Sequence, residues 1–154
     1  MLGGSIAGLL AARVLADRYA TVTVVERDRL PAGSQPRRGV PHGHHTHGML
    51  PRGLQILEDL LPGFTADIER AGGLTGDILA NCRWYLNGRL LRQATTGLPA
   101  LSASRQLIEG EIRRRVRALP NVTVLDGHDI VGLCASAAGD RIIGRRSPVL
   151  RRVR

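Results

Sequence analysis

At 154 residues, with 43% hydrophobic and 23% charged residues, the chain can bury one core, which excludes an intrinsically disordered protein. Its formal charge of +9 rests wholly on arginine, because no lysine occurs among the 22 basic residues. Cys82 and Cys134 lie far apart and match no metal or redox spacing, and no run of about 18 apolar residues is present to span a membrane. The apolar opening stretch lacks a preceding basic residue and is interrupted by Arg13 and Asp17, unlike a secretory leader. One soluble, cytoplasmic domain is therefore expected.

The chain opens on Gly3-Gly4-Ser5-Ile6-Ala7-Gly8, a glycine turn running into a helix. Ile6, Leu9, Leu10 and Val14 recur at helical spacing, while Ala7, Ala11 and Ala12 keep part of that surface small. Residues 21–26, TVTVVE, are β-branched and end in a carboxylate, which predicts a buried strand. From residue 30 to 48, repeated prolines and glycines predict a long loop.

Pro51 suits a first helical turn, and Leu54, Leu57, Leu60 and Leu61 form one stripe before Pro62-Gly63. A short helix capped by Thr65 follows, reaching Ala71. Asn87-Gly88 predicts a type I′ hairpin with strands 83–86 and 89–92. Trp84 and Tyr85 on that hairpin take a packing role, since aromatic residues favour strands whatever their function.

Ser104 caps a helix over 105–119, with Ile108, Ile112, Val116 and Leu119 facing inward and Arg113, Arg114 and Arg117 mostly outward. Strand 122–125 comes next, and then a short β-meander in which residues 129–134 pair with 141–144. From Arg141 onward there are six arginines and no acid, so residues 145–154 are expected to be a basic, disordered tail. This order predicts an α/β fold with a parallel sheet, interrupted by an excursion over residues 39–100.

The glycine turn fits G-x-G-x-x-G except that Ser5 stands at the middle glycine. In such a turn, missing side chains let the backbone approach a pyrophosphate while the helix start stabilises its charge. Glu26 follows Gly3 by 23 residues at a strand end, near the spacing at which a carboxylate accepts hydrogen bonds from an adenosine ribose. Only Met1 and Leu2 precede the turn, so the first strand is expected to be truncated and the chain a fragment.

Three segments together carry a more selective resemblance: GGSIAGLLAARVLADRYATVTVVERD, RRGVPHGHHTHGMLPRGLQILEDLLPG and SASRQLIEGEIRRRVRALPNVTVLDGHDIVGL. In combination they resemble the amino-terminal region of FAD-binding monooxygenases and related aromatic-hydroxylase-like flavoprotein oxidoreductases, over residues 1 to about 144. The resemblance implies a partial Rossmann-like FAD-binding domain in which the turn holds the FAD pyrophosphate and Glu26 the ribose. It places Arg27 beside the adenine and makes Arg38, Arg105 and Ile130 cofactor-facing.

His42, His44, His45 and His47 form a cluster that could bind Zn or Ni on composition alone. The family's loop has the form G-V-P-Q-G-x-H-x-H-G, so the resemblance makes His45 and His47 flavin-loop residues, with His42 standing where Gln is frequent. A later Gly-Asp motif and an Asp-Gly motif linked to NAD(P)H use would complete a relative, and Gly139-Asp140 matches neither. A complete enzyme would act on a small organic substrate with dioxygen, or pass hydride, while this chain alone is expected to be inactive. Two other classes share some of these signals: an NAD(P)-binding module, through the turn and Glu26, and an arginine-rich nucleic-acid binder, through the charge.

Overall fold

Four β-branched residues, Val22–Val25, form strand β1, and three of them are buried. In the computed structural model, which describes residues 1–146 and 148, β1 runs parallel to β7 (Val122–Leu125), with Val22 opposite Val122 and Val25 opposite Leu125. On the other side of β1, Leu2 forms a parallel bridge with Val25. There Val25 N–H donates to Met1 O (2.9 Å) and Gly3 N–H to Val25 O (2.8 Å), so residues 1–3 stand where the first strand was expected.

Helix α1 (Ile6–Ala16) buries Leu9 and Ala12, and its small residues let it pack against α4 (Arg105–Arg117). Ser104 caps α4 as predicted, its Oγ accepting from Leu107 N–H at 3.2 Å. Ile108, Ile112 and Val116 of α4 join Leu9, Val24, Phe64 and Ile68 in one core. Full burial of each such side chain stabilises the fold by roughly 1.5–3 kcal/mol before entropic costs.

The excursion is more regular than the sequence suggested. Within the expected loop, a 3-10 turn (Pro41–His44) leads into β2 (Thr46–Met49), followed by α2 (Pro51–Leu60) and α3 (Phe64–Arg70). Strands β3 (Leu74–Asp77) and β6 (Pro99–Ser104) complete an antiparallel sheet in the order β2-β6-β3. These three strands read THGM, LTGD and PALSAS, with too few β-branched residues to announce themselves; cross-strand pairing forms them instead.

The predicted hairpin is present, with Asn87 at φ 50° and Gly88 at φ 78° as a type I′ turn requires. Its strands are shorter than predicted, β4 (Tyr85–Leu86) and β5 (Arg89–Leu90), with one further bond from Leu91 N–H to Trp84 O (2.8 Å). The last pairing is shifted: β8 (Gly132–Ala135) meets β9 (Ile142–Arg146) with a bulge at Cys134/Ala135, and ahead of β8 the amides of Val131 and Asp129 donate to Arg146 O (3.0 Å) and Pro148 O (3.2 Å). Arg145 and Arg146 thus belong to a strand rather than to the expected tail; residues 147 and 149–154 of that tail lie outside the described residues.

One helix face also differs from expectation. Arg113, predicted to point outward, is 2% exposed, because α4 is covered on that side by the loop after β1, where Arg113 Nη2 donates to Gly33 O at 2.7 Å. Gly110 permits this closeness, since a Cβ there would stand 2.8 Å from Ser34 Oγ. Among the described residues, no helix is long and apolar enough to cross a membrane.

Candidate functional site

The parallel strands β1 and β7 end at one corner, and the glycine turn meets them there, as α/β sheets place ligand sites outside their carboxyl ends. Gly3 has φ +95°, the left-handed region that a side chain resists. A Cβ on Gly8 would lie 1.9 Å from Gly3 O, so that glycine is required for the helix to leave the strand so tightly. A Cβ on Gly4 would lie 3.0 Å from Glu26 Cβ. Ser5, Ile6, Ala7 and Gly8 carry the turn into α1, whose first turn holds no acidic residue and leaves its leading amides without intrahelical acceptors.

Glu26 closes the corner. Its Oε2 accepts from Gly4 N–H (2.6 Å) and its Oε1 from Asp28 N–H (2.8 Å), and the residue is 8% exposed. A carboxylate offers about four lone-pair positions, so acceptor capacity remains for sugar hydroxyls. Turn and carboxylate, 23 residues apart in sequence, are in hydrogen-bond contact.

Arginines surround this corner, though not all of those expected. Arg105 is brought to it, Nη2 donating to Ser5 Oγ at 3.2 Å. Arg37, rather than Arg38, enters the interior: Nε donates to Glu109 Oε1 (2.7 Å), and Nη1 lies 3.0 Å from Asp28 Oδ2 and 3.5 Å from Glu26 Oε1. Arg38 is exposed and, with Arg27, Arg29 and Gly127, lines a cleft of about 850 Å³ beside Glu26. Arg113 completes the cluster, 3.6 Å from Glu109; burial pulls its pKa below the usual arginine value, and the Glu109 charge opposes that shift.

Ile130 follows β7 in a loop tied to the corner, since His128 N–H donates to Glu26 O (3.0 Å) and Gly127 N–H to Asp28 O (3.1 Å). The Ile130 amide itself donates to Asp129 Oδ1 at 2.9 Å. His45 is exposed after the 3-10 turn, and His47 lies in β2 opposite Ala103, its Nδ1 2.9 Å from His45 O. His42 and His47 approach to 6.0 Å between ring centroids, and among the described residues no three His, Cys, Asp or Glu side chains converge as a metal site.

Sequence reasoning missed Arg37, Asp28, Glu109 and Arg113. One signal was available: Arg105, Glu109 and Arg113 follow one another at i, i+4 spacing on α4, which stacks them on one face. Choosing between Arg37 and Arg38 needed the path of an irregular loop. Asp28 fixes that path by accepting from Gly39 N–H (2.7 Å), where a Cβ on residue 39 would stand 2.4 Å from its Oδ2.

No protein-family profile matches the chain. Protein Rv3254 of Mycobacterium tuberculosis is 39% identical over 138 residues, covering 81% of this chain and 27% of that protein. Among solved structures, a probable FAD-dependent monooxygenase, PqsL of Pseudomonas aeruginosa, is similar with a TM-score of 0.71 at 19% identity, covering 97% of this chain and 38% of that one. The p-nitrophenol 4-monooxygenase PnpA of Pseudomonas putida is similar with a TM-score of 0.61 at 21% identity, over 95% of this chain and 37% of that one. For 2-methyl-3-hydroxypyridine-5-carboxylic acid oxygenase the TM-score is 0.60 at 21% identity, over 94% and 36%. The chain therefore has the fold of a segment of FAD-dependent monooxygenases, and it spans well under half the length of each of these four relatives.

Proposed function

We propose that this chain is the part of a flavoprotein oxidoreductase that binds the ADP portion of FAD, within a longer monooxygenase-type enzyme. The carrying observation is the contact of Gly4 N–H with Glu26 Oε2 beside the Gly8 close approach. That arrangement sets unpaired helix-start amides next to a carboxylate with spare acceptor capacity, which suits a diphosphate joined to a ribose. In this reading the amides of residues 5–8 face the diphosphate and Glu26 accepts from the ribose. Arg105 and Arg37 supply cation donors, and Arg27, Arg38 and Ile130 border the adenine side. His45, which follows the 3-10 turn packed on α4, and His47 in β2 are assigned to the flavin side.

FAD, when bound, supplies the redox chemistry; the chain's own residues bind and orient it. An organic substrate, dioxygen and NAD(P)H as reductant belong to the proposed longer enzyme, acting in the cytoplasm. We assign the whole chain to one partial FAD-binding domain with residues 39–100 as its excursion. The nucleic-acid reading draws less support, because Arg37, Arg105, Arg113, Arg114, Arg115 and Arg117 are engaged by the chain's own carboxylates.

The test is a titration of the purified chain with FAD, ADP and NADH, followed by flavin fluorescence and calorimetry. FAD and ADP are expected to compete for one site that weakens in Glu26→Ala. Absence of FAD and ADP binding, or preferential binding of NADH, contradicts the proposal.

A further inference from the structure

Glu109 is the carboxylate on which the cation side of the corner converges. Its side chain is 5% exposed on the second turn of α4, and four groups from three segments reach it. Oε1 accepts from Arg37 Nε (2.7 Å), Oε2 accepts from Ser5 Oγ (3.2 Å), and the guanidiniums of Arg105 and Arg113 each lie 3.6 Å away. Ser5 is the N-cap of α1, so this buried carboxylate links the mouth of the glycine turn directly to three cation heads.

Charge balance explains why the cluster tolerates burial. Arg37, Arg105 and Arg113 are matched by Glu26, Asp28 and Glu109, whereas loss of Glu109 leaves three guanidiniums against two carboxylates. The forks are not exhausted by these pairs. A guanidinium carries five N–H donors, and Arg105 Nε is buried without an acceptor among the described residues. Planar donors held at fixed angle, with N–H groups still to satisfy, suit a second anion presented at the start of α1.

We propose that Glu109 is a positioning residue for the dinucleotide diphosphate: it holds Arg105 against Ser5 and Arg37 beside Asp28 and Glu26, so that their remaining donors are set before the ligand arrives. The inference rests on the reading of this corner as an ADP site. It assigns Glu109 an effect on the phosphates and none on the nucleoside, which contacts the Glu26 side of the corner.

The experiment compares ADP with adenosine as probes, measured by calorimetry on the full 154-residue chain and its Glu109→Gln form. The expected result is an ADP Kd raised by at least about tenfold with adenosine affinity changed less than about twofold, as loss of a charged partner implies. Glu109→Asp, which keeps the charge on a shorter arm, is expected to recover part of the ADP affinity. If circular dichroism shows that Glu109→Gln does not fold, the same ADP-to-adenosine contrast is read on Glu109→Asp.

ADP binding unchanged or tightened in Glu109→Gln overturns the inference, since the carboxylate would then be idle or a competitor of phosphate. An equal loss for both probes also overturns it, because that is the mark of general unfolding. A wild-type chain that binds neither probe, or a Glu26→Ala form that binds ADP normally, removes the ADP site itself and the inference with it. Normal wild-type binding with an indifferent Glu109→Gln removes the inference alone.

Discussion

Two carboxylates, one beside the β1-β7 sheet and one in the β2-β6-β3 sheet, each organise a turn, and they do so in different ways. Asp77 accepts from the amides of Leu79, Ala80, Thr96 and Gly97 and from Thr96 Oγ1, which fills both its oxygens. Glu26 takes only two amides, is buried, and lies 3.5 Å from the guanidinium of Arg37. The first is saturated by its own loop and acts as a staple for residues 77–97. The second keeps capacity that the fold does not use, and that reserve supports the proposed ligand corner more sharply than the presence of a glycine motif.

The contrast can be broken in several ways. The largest effect is expected from Gly8→Ala: the new Cβ would overlap Gly3 O, so α1 must shift away from the strand end. ADP binding should fall below detection, and the melting temperature should drop; normal binding would mean that the turn is not the site. Phe64→Ala, at a 0% exposed position, should cost about 3–5 kcal/mol in chemical denaturation by opening a cavity in the core beneath both regions.

Substituting the two carboxylates tests the comparison itself. Glu26→Gln should weaken ADP binding about 10- to 100-fold, the value of a lost charged hydrogen bond, with little change in the excursion. Asp77→Asn should do the reverse. Hydrogen exchange should accelerate at the amides of Leu79, Ala80, Thr96 and Gly97 while ADP affinity holds; an ADP defect in Asp77→Asn would erase the distinction.

The smallest effect expected is on acid stability. A hydrogen bond from Arg115 lowers the Asp67 pKa from 3.8 to about 2, and hydrogen bonds led by that of the Ala80 amide hold Asp77 well below the usual carboxylate value. Both groups are more acidic when folded, so their stabilisation is complete above about pH 4; that of Asp67 is lost as pH falls toward 2, and that of Asp77 at lower pH still. Asp67→Asn should flatten the melting temperature against pH across that interval. A slope equal to the wild type's would show that the Arg115 pair contributes nothing.

The sequence was most legible where local chemistry decides structure. The Asn87-Gly88 turn, the Ser104 cap and the valine-rich β1 all follow from residue type, and the glycine turn with Glu26 came together as the spacing implied. It was least legible where distant partners decide. Strands β2, β3 and β6 exist because they pair with one another, and Arg113 is buried only because residues 33 and 34 fold over α4. The interior role of Arg37 likewise depends on Glu109, 72 residues away.

The most direct test of the proposed dinucleotide corner is an amide-resolved NMR titration of the chain with ADP. The structure leads to saturable shifts concentrated at residues 3–8, at the Asp28 amide beside Glu26 and at the side chain of Arg105. Shifts confined to the arginines after Gly144, or spread without saturation over the surface, would contradict the account.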